Sequence, residues 1–178
     1  MNDIIKALID RRSFHSPGIY KDEPVDEELI NQVIEAGLWA ASGMGKQSPI
    51  IIAVTNKEVR DKLAKLNMTS VGGPTDRDPF YGAPVVLVVL ADKSAMTYVY
   101  DGSLTMGNML AAADSLGLGS CWVHRAKDSF ETEEGKEFLK SLGIEGDYEG
   151  IGNCILGWPA EEKPAPKPRK ENRVYYVK

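Results

Sequence analysis

Ala41-Ser42-Gly43-Met44-Gly45-Lys46-Gln47-Ser48-Pro49 (ASGMGKQSP) joins two glycines, a Gly-Lys pair and two serines, the ingredients of a phosphate-cradling loop. A triphosphate loop of the form G-x-x-x-x-G-K-[ST] needs a glycine five residues before its second glycine and a hydroxyl directly after the lysine. Those positions hold Ala40 and Gln47. Such a loop also follows a strand and opens a helix, and here the order is reversed. Leu29, Ile30, Val33, Ile34, Leu38 and Ala41 recur at helical spacing ahead of it, while the β-branched run Ile50-Ile51-Ile52-Ala53-Val54 follows. ATP binding with magnesium is therefore the least supported function. A dinucleotide fingerprint fails as well: Gly117-Leu118-Gly119-Ser120-Cys121-Trp122 ends in tryptophan and precedes a strand rather than a helix.

Working outward, Ile4, Ile5, Leu8 and Ile9 predict an amphipathic helix over the first ten or so residues, ending in Arg11-Arg12-Ser13. Asp26, after Pro24-Val25, is a cap for the helix before the loop. Asn56 is a cap for a third helix carrying Val59, Leu63 and Leu66. The run Ile50 to Val54 and the run Val85 to Leu90 read as buried strands. Between them, residues 68–84 are rich in Gly, Pro and Asp, and a loop of that length is usually functional or mobile. From about Thr97 to Leu116 no strongly charged face appears, which predicts a helix buried nearly all round, with Gly102, Gly107 and Ala111 to Ala113 allowing close packing. Ser120 to Val123 and Gly152 to Leu156 read as strands, and Thr132 to Leu142 as a polar surface helix. The proline-rich segment from Pro159 to Lys170 predicts an extended arm that embraces a partner subunit, and Val174 to Val177 an edge strand. Without a regular βαβ rhythm, the reading is one α+β domain over residues 1–178. Its three layers are a mixed, mainly antiparallel sheet flanked by helices, with an extended C-terminal arm.

Composition bounds the function. The chain has 178 residues, 43% of them hydrophobic, and a formal net charge of −5. That balance argues against nucleic-acid binding as its task, so any anion site must be built locally. Its two cysteines, Cys121 and Cys154, sit in apolar settings and read as small core residues in a reducing cytoplasm. With two His and two Cys at no ligand spacing, no metal is expected. No apolar stretch reaches membrane-spanning length, and the first ten residues are too polar for a secretory leader.

Anion-binding chemistry gathers in separated segments. Arg11, Arg12 and Ser13 place two guanidinium groups and a hydroxyl at a helix end, and Lys167 and Arg169 stand in the arm. The planar fork of arginine suits bidentate phosphate contact, though each group alone also reads as solvated surface charge. Phe80 and Tyr81 divide evenly between lid and packing, and Met44, Met106 and Met109 read as gap fillers.

The ordered set R-R-S, the serine loop with Gln47, the G-A-P at 82–84, L-G-L-G-S-C-W at 116–122, I-x-G-x-P at 155–159 and K-P-R at 167–169 resembles the nitroreductase family over nearly the whole chain. The resemblance implies a nitroreductase-like fold and a homodimer with FMN at the subunit interface. It implies ping-pong electron transfer from NADH or NADPH to nitroaromatics, quinones or similar small acceptors. Arg11, Arg12, Ser13 and His15, with Lys167 and Arg169, would meet the phosphate and ribityl chain. Ser42, Gly43, Met44, Gly45 and Gln47 would come from the other protomer. Trp122, Val123, His124 and Arg125 would run beside the ring, a backbone N–H of His124 or Arg125 reaching flavin N5. No dedicated catalytic acid or base is implied, because the flavin carries the chemistry. Departures from the family pattern are His15 in place of Arg or Lys, Ala41 in place of proline, Gly45 in place of asparagine, and Ser48-Pro49 in place of Pro-Trp. Dehalogenation, flavin fragmentation and a non-catalytic flavin module are the alternatives. The first two usually require a larger lid than residues 68–84 provide.

Overall fold

The structure is a computed structural model describing residues Met1–Lys178. Six helices and four strands follow in the order α1 (Asp3–Asp10), α2 (Glu27–Leu38), β1 (Pro49–Val54), α3 (Lys57–Thr69), β2 (Val85–Asp92), α4 (Tyr98–Ser115), β3 (Gly119–Val123), α5 (Ala126–Glu131), α6 (Glu133–Ser141) and β4 (Tyr148–Gly157). The four strands form one sheet in the order β1-β2-β4-β3, and every pairing is antiparallel. The sheet is thus antiparallel throughout rather than mixed.

Strand β2 explains the three layers. Its side chains alternate, so Val86, Val88 and Leu90 face one side, and Val85, Leu87, Val89 and Ala91 the other. The first set packs with Cys121 and Ile155 against Leu63 and Leu66 of α3, Phe130 of α5 and Leu139 of α6. The second packs with Cys154 and Leu156 against Ile30 and Val33 of α2 and Met106, Met109 and Ala113 of α4. A continuous apolar run is what a central strand covered on both faces demands. Register shifts between Val89 and Leu90, where Ile151 is the extra residue of a bulge in β4. The side chain of Ile151 lies on Gly102 of α4, where a Cβ would come within 2.5 Å of it.

The caps behave as expected in part. Asn56 accepts the Val59 N–H at 3.0 Å, whereas Asp26 precedes α2 without a side-chain cap bond. Asn56→Ala is expected to cost about 1 kcal/mol and lower the melting temperature by about 2–4 °C, with Asn56→Asp restoring it. Calorimetric melting of the three proteins checks this.

Four expectations are corrected. Strand β1 is half-buried, because it lies at the sheet edge. Residues 174–177 form no strand, and their side chains are exposed. Helix α4 is buried on one side only: Tyr100 and Leu104 are 71% and 51% exposed. Met44 fills no gap and is exposed, whereas Met106 and Met109 are fully buried. Helix α1 is amphipathic as read, yet none of its residues is buried, and Ile4, Ile5, Leu8 and Ile9 face outward. Beyond Pro159, whose bridge to Tyr20 fixes the root of the arm, the chain has no regular structure. No helix is long and apolar enough to cross a membrane.

Candidate functional site

A cavity of about 310 Å³ opens where the end of β3 meets α3 and the 68–84 loop. That volume lies at the lower end of the ~300–1,000 Å³ common for small-molecule sites. Its walls are His15 after α1, Asn67 and Met68 at the end of α3, Arg77, Pro79 and Tyr81 of the loop, and the run Cys121 to Arg125. No carboxylate is among them. A chain with a net charge of −5 has therefore placed two arginines and two histidines around one hollow, the local field an anionic ligand needs.

The segment after α1 is docked by backbone bonding. The Phe14 N–H donates to Ser120 O at 2.9 Å, and the Tyr20 hydroxyl donates to Phe14 O at 2.9 Å. This brings Ser13 and Arg11 beside Cys121. Burial pushes the Cys121 thiol up, against the opposing pull of the Ser13 hydroxyl and the Arg11 guanidinium, so it stays a neutral thiol. Arg11 bonds only Ser13 Oγ, at 3.4 Å, and is otherwise available. Arg12 is committed differently: its Nη1 donates to Ile9 O at 2.7 Å and Arg11 O at 2.8 Å, closing the C-terminal end of α1.

The run from Val123 to Arg125 is held by its carbonyls. Asn153 Nδ2 donates to Val123 O at 3.4 Å, Asn67 Nδ2 to His124 O at 3.2 Å, and the Ser129 N–H and hydroxyl to Arg125 O at 3.0 and 2.9 Å. The N–H groups of His124 and Arg125 donate to nothing within the chain. Arg125 takes φ 76° as it enters α5, a left-handed turn that costs a side-chain-bearing residue free energy and clusters at functional sites. Asn67 is 2% exposed and its Oδ1 has no partner; Trp122 Nε1 is also buried without one. An orphaned oxygen on Asn67, in the wall of the hollow, fits a ligand able to pair with it. Trp122 lies over Gly152, where a Cβ would come within 2.3 Å of the indole nitrogen, so only glycine lets the ring lie flat there.

The 41–49 loop stands elsewhere. Ser42 and Gln47 line a separate cavity of about 170 Å³ with Thr105, and Ser42 Oγ accepts the Gln47 N–H at 3.0 Å. Met44, Gly45 and Gln47 all take positive φ. Asp101, in the first turn of α4, is the anchor: it is 3% exposed and accepts from the Gly43 N–H at 2.9 Å, Ser48 Oγ at 2.8 Å and Thr97 Oγ1 at 3.1 Å. Gly43 sits so close that a Cβ would lie 2.1 Å from Thr97 Oγ1.

Within one chain the structure thus gathers His15, Trp122, Val123, His124 and Arg125, with Arg11 and Ser13 adjoining. It does not bring Ser42 to Gln47, Lys167 or Arg169 to the same walls. Lys167 and Arg169 are exposed in the arm. Sequence reasoning missed Asn67, Met68, Arg77 and Asp101. Asn67 carried a signal: it shares a helical face with Leu63, where a polar residue is out of pattern. No group of three His, Cys, Asp or Glu side chains converges to hold a metal.

The match to known proteins follows the same outline. The model of the "Nitroreductase family" matches residues 10–158, from the end of α1 through the whole sheet. The chain belongs to the nitroreductase family. Among members of this family, the FMN reductase [NAD(P)H] of Bacillus subtilis is 30% identical over 95% of this chain and 70% of its own length. The NADPH-flavin oxidoreductase of Vibrio harveyi is 27% identical over 95% of this chain and 70% of its own. A nitroreductase with bound FMN from Desulfitobacterium hafniense superposes with a TM-score of 0.86 at 27% identity, both chains fully covered.

Proposed function

We propose that this nitroreductase-family chain is an FMN-dependent oxidoreductase that passes electron pairs from NADH or NADPH to small acceptors such as nitroaromatics and quinones. The observation that carries the reading is the carboxylate-free hollow walled by two arginines, with the unspent N–H groups of His124 and Arg125 beside it. Bound there, FMN supplies a carrier of hydride equivalents, so that NAD(P)H, a proton and the acceptor become NAD(P)⁺ and the doubly reduced acceptor in two half-reactions. The chain's own task is to bind and orient. Arg11 and Ser13 offer the phosphate a guanidinium and a hydroxyl. Asn67 and the free N–H groups at 124 and 125 offer hydrogen bonds to a polar ring edge, and Arg125 supplies cationic charge for an anionic reduced form. Trp122 and Tyr81 wall out water.

The proposal includes a homodimer. Ile4, Ile5, Leu8 and Ile9 of α1 and Tyr100 and Leu104 of α4 leave apolar faces uncovered in one chain, and α1 lies beside α4. Contiguous exposed apolar surface of this kind marks an interaction face. A second copy over it would bring its Ser42 to Gln47 loop to the flavin, and the arm with Lys167 and Arg169 would reach across. Two free cysteines support a reducing, cytoplasmic setting.

Purified protein should be yellow, with flavin absorbance; colourless protein that takes up no added FMN contradicts the reading. Arg11→Ala should weaken FMN retention by about 10–150-fold, the loss of one charge-assisted bond of about 1.5–3 kcal/mol. Its melting temperature without FMN should stay put, because Arg11 bonds only Ser13. Equal FMN affinity in the variant and the parent, measured by flavin fluorescence titration, would remove Arg11 from the site.

A further inference from the structure

A second hollow, of about 380 Å³, lies against the first and shares two of its walls, Arg77 and Tyr81. Its other walls are Pro17, Gly18, Asp78 and Gly82. Both glycines take positive φ, and no atom lies within 4 Å of where a Cβ would stand, so this part of the wall is open backbone. A ligand too long for the first cavity can therefore continue past Tyr81 into the second.

The charges in this second hollow are unequal in their commitments. The Asp78 carboxylate is fully engaged: Oδ1 accepts the Phe80 N–H at 2.9 Å, while Oδ2 accepts the Gly82 N–H at 2.7 Å and the Arg60 Nη2 at 2.5 Å. Its charge is matched by Arg60. Arg77 is exposed and has neither an ion pair nor a hydrogen bond in the chain. The uncompensated charge at the junction of the two hollows is its guanidinium.

We infer that Arg77 docks the phosphate on the adenosine ribose of the electron donor, so that the enzyme selects NADPH over NADH. The inference rests on the proposed function, which makes a pyridine dinucleotide the electron donor to FMN held at the first cavity. With the nicotinamide against the flavin there, the remainder of the molecule has the second hollow beside it. NADPH differs from NADH only by that phosphate, and a free guanidinium discriminates a dianionic phosphate from a hydroxyl through paired, charge-assisted hydrogen bonds.

The test compares the parent with Arg77→Gln, both saturated with FMN. Stopped-flow reduction by NADPH and by NADH is measured, together with calorimetric binding of 2′,5′-ADP and 5′-AMP. The parent should favour NADPH and bind 2′,5′-ADP more tightly than 5′-AMP. The variant should lose at least about tenfold more in kcat/KM for NADPH than for NADH, the scale of one charged bond. It should also lose the preference for 2′,5′-ADP. Equal losses for both donors would assign Arg77 to the shared pyrophosphate or to the flavin and overturn the inference, as would a parent that prefers NADH. A parent that holds no FMN contradicts the proposed function instead. In that case the binding of 2′,5′-ADP against 5′-AMP, which needs no flavin, decides the role of Arg77 by itself.

Discussion

Arg60→Met should lower the melting temperature by about 3–12 °C, the shift expected when a buried guanidinium is removed from a half-exposed carboxylate, a charge-assisted bond of about 1.5–3 kcal/mol. Arg60 projects from α3 with its side chain 9% exposed. Its Nε donates to Ala83 O at 3.0 Å, its Nη1 to Asp61 at 3.1 Å and its Nη2 to Asp78 at 2.5 Å, and the guanidinium lies 5.4 Å from the centre of the Phe80 ring. One side chain thus ties α3 to the 78–83 turn, including the G-A-P that leads into β2. Methionine restores much of the volume but leaves the Asp78 carboxylate without its cation and Ala83 O without a donor. The double variant Arg60→Met/Asp78→Asn should lose less than the two single variants together, because the charge pair can be broken only once. Calorimetric melting of the parent and the three variants measures this, and a shift below about 2 °C for Arg60→Met would show the pair to be dispensable. The same turn carries Pro79 and Tyr81 into the cavity, so FMN affinity should fall with stability.

How much of this could be read in the sequence depends on whether a feature is local. Helices α1 and α3 were legible because apolar spacing and, for α3, the Asn56 cap are written in neighbouring residues. Strand β2 was legible because seven consecutive apolar residues admit a strand buried on both faces. The edge position of β1 was not legible, since a run of isoleucines looks the same whether or not a neighbour covers it. Helix α5 has six residues and opens at Arg125, a left-handed position that carries no glycine to announce it. The open stripe of α4 follows from which side meets the sheet, and only the assembled layers show that. In the site, Arg11, Ser13 and the 122–125 run lay in recognisable motifs. Arg77 reaches the cavity by tertiary placement alone, and nothing within a few residues marks it as a wall, whereas Asn67 breaks the apolar pattern of the face it shares with Leu63. Arg12 is divided: its Nη1 is spent on the end of its own helix, while its Nε is buried without a partner in the chain.

The anchor of the 41–49 loop should prove a pH-sensitive joint in the fold. Burial alone would raise the Asp101 carboxyl, but the Gly43 N–H and the Ser48 and Thr97 hydroxyls outweigh it and hold the group below the usual carboxylate range. A group depressed in the folded state stabilises it fully above the unfolded value, about 3.9, and loses that contribution as pH falls through the folded value. Asp101→Leu keeps much of the volume but leaves the Gly43 N–H and the Ser48 and Thr97 hydroxyls facing an apolar group. With unpaired buried donors costing about 1–3 kcal/mol each, the variant should lose about 3 kcal/mol at pH 7, or about 6–12 °C in melting temperature. The gap between parent and variant should close as pH falls below about 4, because the parent then loses the same bonds by protonation. Loosening should also be visible at the loop itself. Lys46 is exposed, and it follows Met44 and Gly45 in backbone conformations that only a fixed loop holds, so trypsin should cleave after Lys46 faster in the variant than in the parent. Melting curves that run parallel from pH 7 to pH 3, with unchanged cleavage at Lys46, would show that Asp101 is merely buried. If the cleavage rises and FMN retention falls with it, the loop is part of the flavin site even though it stands apart from the cavity in a single chain. The residue that then positions it is one whose partners in the loop, Gly43 and Ser48, lie more than fifty positions away in the sequence.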